Sequence, residues 1–377
     1  MKRRIKVLRV VIGLHLGGVQ QGVKNLFRSL DPERYQPIAC ALENDGTVGR
    51  EIAQDGFEVI VLGLKGKAAR PRIIYELARL MQRRGIDIVH GSAYHPSLFS
   101  RLAGLAARVP ILINHEHVMV HHRTRRRALI NHWLGWVTQA QIAVSQAVRR
   151  QMISWYHLDP KKVEVIYNGV RPEFFQVTAL REASRRSLGL SPETRVVGIV
   201  ARLHLEKGFD TLFGAMEGVK SSYPLKVLIA GTGPNEEDIR NMAARRGLAD
   251  KVDFLGYLRD IPELLAAMDV FVLPSVKEGF SNSLLEGMAA GLPVIVSDHE
   301  PNLEAVEPGV SGLAFPQGDA GALGRCFVEV FANPDLASKL GRAAQARVAE
   351  HFTIDRFGRR IQNLYDRLVR ERIDPDW

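Results

Sequence analysis

The sequence predicts a doubly wound α/β protein with two domains, and three observations carry that reading. Short β-rich apolar runs alternate with helix-length segments, the alternation starts afresh after residue 190, and 377 residues exceed what one ordinary core serves. Taken in order, the first series is VLRVVIGLHL, PIACAL, EVIVLGL, IDIVHG, VPILINH, AQIAVS and VEVIYNGV. Residues 5–14 read as a buried first strand. The basic residues before it imitate a secretory leader, but Arg9 and His15 interrupt the apolar run and no small-residue cleavage site follows. The second series is TRVVGIVARL, LKVLIAGTG, KVDFLGY, DVFVLPS, PVIVSD and SGLAFP, mostly followed by helical patterns. Between the two, YNGVRPEFF breaks both patterns at Asn168-Gly169 and Pro172, so the domains are set at 1–170 and 171–352, with 167–172 as the hinge. The tail FTIDRFGRRIQNLYDRLVRER has apolar residues at helical spacing, and residues 353–377 are expected to pack back on the first domain.

Charge is unevenly distributed along this soluble, globular composition. Residues 1–170 hold 26 Lys and Arg against 12 Asp and Glu, a net of +14, whereas 171–377 hold 25 against 29, a net of −4. Such asymmetry suits an anionic surface for the first half, with a solvated basic face as the plain alternative. Cys40 and Cys326 have no metal-type spacing and offer no disulfide framework, which fits a reducing compartment. No run of about 18 apolar residues occurs.

In an open α/β sheet, ligands bind where strands end and helices begin. HLGGVQQG follows the first strand, and Gly17-Gly18 would let backbone amides approach a phosphate, or simply make a tight turn. The absence of G-x-G-x-x-G makes a nicotinamide dinucleotide a poor fit. ARLHLEKG places Arg202 and Lys207 after a strand, which suits a diphosphate; a carboxylate partner for Arg202 is the alternative. IAGTGP sets Gly231 and Gly233 after the next strand, where Gly231 is expected to meet the donor, and a tight βα turn explains the two glycines equally well. In SVKEGFSNSLLEGMAAGLPV, Ser281 is a plausible N-cap for a helix to Ala290, with Gly291 and Pro293 as its stop. Amides near Asn282, Ser283 and Leu284 would attract phosphate oxygens, while Glu286 would accept hydrogen bonds from a ribose diol and Glu278 from a second sugar. Read alone, Glu278 acts only on the helix dipole and Glu286 is a solvated helix residue.

The ensemble GGVQQGV, ARLHLEKG, IAGTGP, VDFLGYLRDIPELLAAMDVFVLPS and EGFSNSLLEGMAAGLPVIVSD, in that order, resembles the retaining glycosyltransferases of family 4, which have the GT-B fold. The resemblance covers nearly the whole chain. It implies two Rossmann-like domains facing across a cleft and a nucleoside-diphosphate-sugar donor, UDP or GDP, held mainly by the second domain. Arg202 and Lys207 match the diphosphate-binding pair, Glu286 the ribose carboxylate, Glu278 the donor-sugar carboxylate, and Gly17 and Gly18 the closing loop. A histidine near the reacting sugar is implied at His117, with His115 its competitor in ILINHEHVMVHHR. Ala201 and the HEPNLEAV segment depart from the family pattern, which leaves the role of Glu304 open.

Retention implies that the leaving phosphate accepts the acceptor's proton, with no side-chain base. His115, His117, His121 and His122 are clustered, but Arg123, Arg125, Arg126 and Arg127 beside them oppose a dication and no strand-end D-x-D occurs, so no metal or other cofactor is expected; DPD at 374–376 lies in the tail. Arg123, Arg125, Arg126 and Arg127 with Leu129, Trp133, Leu134 and Trp136 form either a peripheral membrane contact or a packed helix. The acceptor expected is a glycan or lipid-linked saccharide at the cytoplasmic membrane face, in envelope or exopolysaccharide synthesis. Competing readings are a GT-B nucleotide-sugar epimerase, a silent partner subunit, and a basic nucleic-acid binder; no RNA module is recognisable, so nucleic acid is not expected.

Overall fold

The computed structural model describes residues 3–15, 17–119, 124–219 and 224–377. His121, His122 and Arg123 lie outside the described residues. The chain divides into two compact units, Met1–Asn168 with Ile354–Trp377, and Gly169–Thr353.

The first unit is built on seven strands: β1 (Ile5–Val11), β2 (Tyr35–Ala41), β3 (Glu58–Val61), β4 (Ile88–Ser92), β5 (Ile111–Glu116), β6 (Ala140–Ala143) and β7 (Val163–Val165). They form one parallel sheet in the order β3-β2-β1-β4-β5-β6-β7. β1 is shorter than its apolar run suggests. Beyond Val11 the chain turns outward at Ile12, which is 42% exposed, and the Leu14 amide bonds Asn44 O at 3.1 Å instead of continuing the ladder. One sheet face is covered by the helix Ile354–Arg372, whose Phe357, Ile361, Leu364 and Leu368 close over Val7, Ile88, Ile111 and Ile113. Polar contacts fix its register: Asp366 accepts from Tyr35 Oη, from Arg34 at 3.0 Å and from Trp377 Nε1 at 3.4 Å. The opposite face carries Leu8, Val10, Ile38 and Val89 against Ile73, Leu77 and Phe99.

The second unit holds β8 (Arg195–Val200), β9 (Leu225–Ala230), β10 (Val252–Gly256), β11 (Val270–Leu273), β12 (Val294–Ser297) and β13 (Leu313–Phe315). Their parallel order is β10-β9-β8-β11-β12-β13. A core of Val197, Ile199, Phe209, Phe213, Val227, Ile229, Val272 and Phe327 lies under the helices Phe209–Val219 and Ala320–Ala332.

Each sheet is wound from its middle outward in both directions. The chain order therefore reverses between β1 and β4 in the first unit and between β8 and β11 in the second. At such a point the two flanking crossovers leave on opposite faces, so a crevice opens beyond the strand ends. No helix among the described residues is long and apolar enough to cross a membrane.

Candidate active site

At the reversal point of the second unit, the loops after β8 and β11 lie against one another. Val276 donates its amide to Glu206 O at 2.9 Å, and Gly208, in the left-handed region at φ 75°, passes so close to Pro274 O that a Cβ would lie 2.0 Å from it. This contact brings Lys207 within 2.8 Å of Glu278, with side chains 18% and 9% exposed. Two residues assigned separate ligand groups thus neutralise one another, although 71 positions apart. Arg202 is different: five residues before Lys207 on the same loop, it is exposed and forms no ion pair among the described residues, so the carboxylate-partner alternative finds no support. The exposed Arg202 guanidinium on the loop after β8 is thus a cation open to an anion.

The helix predicted after β11 runs Asn282–Ala289, with Ser281 as its N-cap and Ala290 as its C-cap. Ser281 Oγ accepts the Leu284 amide at 3.3 Å. That corrects one assignment: the Leu284 N–H is occupied and its side chain is buried at 1%, so Leu284 does not offer a phosphate contact. Ser283, whose first-turn amide has no acceptor within the helix, keeps the role that capping denies Leu284. Glu286, one turn on, is half-buried. Burial pushes its carboxyl up to about 7, with Arg171 drawing it back and Glu173 adding to the rise.

Gly231 has a packing reason. At φ 136° its missing Cβ would sit 1.9 Å from Ala201 O, and at Gly233 the corresponding clash is 2.2 Å from Leu203 O. These glycines let the β9 loop press on the Arg202 loop, and the Gly231 amide is bonded to Gly256 O at 2.7 Å. Behind the Glu278 loop, Ser297 Oγ donates to Ser275 O at 2.6 Å and Asn302 Nδ2 donates to Ser297 Oγ at 3.1 Å. This brace comes from the HEPNLE segment, the helix Glu300–Ala305, and sequence reasoning missed it because Asn302 is signalled only by its place beside a strand end.

In the first unit, Gly17 is the N-cap and Gly18 the first residue of the helix Gly18–Ser29, which has no side-chain cap. Gly17 is extended, at φ 170°. After β4, Ala93 has φ 64° and ψ 174°, a region that ordinarily demands glycine and costs of order 1–3 kcal/mol. Its amide bonds His115 O at 2.8 Å, which fixes the strained turn to the end of β5. His115 is 1% exposed and His117 half-buried, and their rings stack at 4.0 Å. Burial first, then Arg9, holds the His117 imidazole down to about 3, so it is neutral at physiological pH.

The helix Arg125–Val137 divides its residues plainly. Leu129, Trp133 and Trp136 are 58%, 63% and 70% exposed, whereas Leu134 is buried, so three of the four apolar residues face solvent and only one is core. Arg125 and Arg126 are exposed with them. Arg127 is not part of that face: its guanidinium lies 3.7 Å over the Tyr94 ring with Nε enclosed, a cation held by an aromatic rather than offered to a surface. Among the described residues, no three His, Cys, Asp or Glu side chains converge as a metal site.

Two doubly wound parallel sheets, the second with cations, a helix N-terminus and two carboxylates around its reversal point, define the class of open-sheet α/β proteins that bind ligands at a topological switch point. The comparisons narrow that class. Residues 181–347 match the model of glycosyl transferases group 1 and residues 16–174 that of glycosyltransferase family 4, and the chain belongs to this family. It is 28% identical over 382 residues to the UDP-Gal:alpha-D-GlcNAc-diphosphoundecaprenol alpha-1,3-galactosyltransferase of Escherichia coli, covering 97% of this chain and 98% of that one. An uncharacterised glycosyltransferase of Methanocaldococcus jannaschii is 29% identical over 229 residues, and the alignment spans 59% of its length. The crystal structure of Anabaena HepE in complex with UDP and glucose superposes with a TM-score of 0.86 at 21% identity, over 97% of this chain and 100% of that one. The fold is GT-B and the protein is a glycosyltransferase.

Proposed function

We propose that the protein moves a sugar, with retention of anomeric configuration, from a UDP- or GDP-sugar to a hydroxyl of a glycan or lipid-linked acceptor. The observation that carries this reading is the exposed, unpaired Arg202 beside the Lys207–Glu278 pair and the capped N-terminus of Asn282–Ala289. In it, Arg202 forks onto the diphosphate, Lys207 shares its charge between phosphate and Glu278, and the Ser283 amide completes the anion site, with Asn282 beside it. Charge gathering on the leaving diphosphate is met by fixed cations, and the departing phosphate takes the acceptor's proton. Since that charge is answered by Arg202 and Lys207, the reaction needs no metal, and EDTA is expected to leave turnover unchanged. Glu278 holds sugar hydroxyls. The acceptor class is supported by the E. coli relative's name and by that of a Corynebacterium glutamicum relative, 26% identical over 365 residues, called a GDP-mannose-dependent monoacylated alpha-(1-6)-phosphatidylinositol monomannoside mannosyltransferase.

Thermal shifts against UDP-, GDP-, ADP- and dTDP-sugars test the donor. One nucleotide at about 100 times its Kd should stabilise by about 2.7 kcal/mol and raise the melting point; no shift with any of them contradicts the reading.

Glu286 gives the reading a pH signature. A carboxylate accepting from a diol is favoured as the anion, so binding lowers a pKa that burial had raised to about 7. Binding then releases a proton below that pH, and nucleoside affinity falls about tenfold per unit of acidification toward the ordinary carboxyl range. Calorimetry in buffers of different ionisation enthalpy reads the proton directly, and Glu286→Gln should abolish the dependence.

A lipid-linked acceptor also requires approach to the cytoplasmic membrane face. Arg125, Arg126, Leu129, Trp133 and Trp136 present cations and interfacial aromatics together. Neutralising Arg125 and Arg126 should weaken sedimentation with anionic vesicles by about 30-fold, at about 1 kcal/mol for each charge near the surface. Neutralising Arg127 should change it little.

A further inference from the structure

The helix Arg125–Val137 ends in a pocket within the first unit. A helix joining two parallel strands runs back across its sheet, so this end lies where β6 begins, opposite the crevice beyond the strand ends. The pocket has a volume of about 390 Å³, ordinary for a small-ligand cleft of roughly 300–1,000 Å³. Its lining comes from His132 and Trp136 of that helix and from His157, Leu158, Asp159 and Lys162 beyond the helix Gln146–Tyr156. Trp136, 70% exposed, belongs to the solvent-facing apolar face as well, so pocket and face are continuous.

Its aromatic rings brace one another. The His132 ring meets Trp133 at 5.8 Å, Trp136 at 6.3 Å and His157 at 6.4 Å, each edge to face, and the two tryptophans stack at 6.4 Å. His132 Nδ1 lies 3.3 Å from Tyr156 O and 3.1 Å from His157 O. Carbonyls only accept, so Nδ1 holds the proton and Nε2 of the neutral ring keeps its lone pair.

The local cations are already committed. Lys162 donates its ammonium to Gly135 O at 3.3 Å, Trp136 O at 3.0 Å and Thr138 O at 3.3 Å, which uses all three N–H bonds on the helix end. Arg149, against the same turn, donates Nε to Val163 O at 2.9 Å and Nη2 to Pro160 O at 3.1 Å. Asp159 is not committed in this way. One of its oxygens accepts the Lys161 amide at 2.9 Å, but the residue is exposed and forms no ion pair among the described residues. A tryptophan face, an imidazole lone pair and an open carboxylate all attract one kind of group, a positively charged N–H donor. Lys161, next in the chain but one, is exposed and also forms no ion pair among the described residues, which leaves a cation for a phosphate carried beside that donor.

We propose that this pocket is a headgroup site for a zwitterionic phospholipid bearing a primary amine, its ammonium held by Trp136, Asp159 and His132 Nε2 and its phosphate met by Lys161. The site rests on the membrane-docking reading of the Arg125, Arg126, Leu129, Trp133 and Trp136 face. It adds a preference that Arg125 and Arg126 do not supply, since they respond to the net negative charge of the surface. A primary amine fits where a quaternary one does not, because Asp159 and His132 Nε2 both call for an N–H and a trimethylammonium has none.

Sedimentation of the full chain with vesicles of one fixed anionic fraction, the remainder being phosphatidylethanolamine or phosphatidylcholine, tests this. The wild type should bind the phosphatidylethanolamine vesicles about fivefold more tightly, which is what one exposed cation–π contact supplies. Asp159→Asn, whose side-chain oxygen can still accept the Lys161 amide, should bind both mixtures alike. Trp136→Leu keeps an apolar side chain at the surface and should lose the difference too. Neutralising Arg125 and Arg126 should weaken binding to both mixtures and leave their ratio intact. Equal binding of the two mixtures by the wild type overturns the headgroup site and leaves membrane docking standing. A preference that survives in both Asp159→Asn and Trp136→Leu also overturns the site, since bilayer packing then causes it. Failure to bind any vesicle, anionic ones included, overturns the docking reading and the site together.

Discussion

Replacing Arg202 with alanine is expected to lower turnover on the order of 10²-fold or more while leaving the melting temperature within about a degree of wild type. Both halves of that expectation come from the same feature. Arg202 is exposed and forms no ion pair among the described residues, so its loss leaves no buried group unsatisfied and little packing is forfeited. Its charge is therefore available to a ligand. Arg202→Lys should recover only part of the activity, because an ammonium keeps the charge but not the two-pronged geometry that a diphosphate accepts. Steady-state kinetics beside thermal melts separates the two effects. A variant that retains full turnover removes Arg202 from the reaction.

Lys207 predicts the opposite combination. In Lys207→Met the Glu278 carboxylate, 9% exposed, loses the cation 2.8 Å away, and the second unit should lose about 2 kcal/mol, less than for a fully enclosed pair because water reaches the lysine. Activity should fall with it. Adding Glu278→Gln to that variant removes the stranded charge, so the double variant should regain most of the stability and none of the activity. Denaturant titration and turnover measured on the single and double variants therefore diverge. If both recover together, the pair is a structural clip and neither residue handles substrate.

Much of the architecture was legible because its signals are local. Alternating apolar runs gave the strands of both sheets, and Ser281, Gly291 and Pro293 bracketed the Asn282–Ala289 helix within a residue. Local signals also misled where two causes share one residue type. A glycine after a strand serves a phosphate or a close backbone, and at Gly231 the backbone of Ala201 decides for packing. Leu284 was assigned an open amide by counting from the cap, yet the same cap occupies that amide. Arg127 read as one of a run of cations, but the helical turn carries it away from Arg125 and Arg126 onto Tyr94.

What the sequence hid is partnership across elements. Lys207 and Glu278 each suggested a ligand, but their bond depends on the loops after β8 and β11 meeting at the reversal point. Arg9 looked like an interruption of an apolar strand, and Tyr365 like one apolar position of a tail helix. Their meeting with His90 needs the sheet register and the docking of the tail at once. The backbone strain at Ala93 has no compositional signal, since alanine gives no warning of a positive φ.

The most direct measurement of the central claim is a crystal structure of the protein soaked with UDP or a UDP-sugar. The expected density places the diphosphate against the Arg202 guanidinium, Lys207 Nζ and the Ser283 amide, with Glu286 on the ribose diol. A nucleotide bound elsewhere, or bound with Arg202 turned away from both phosphates, contradicts it.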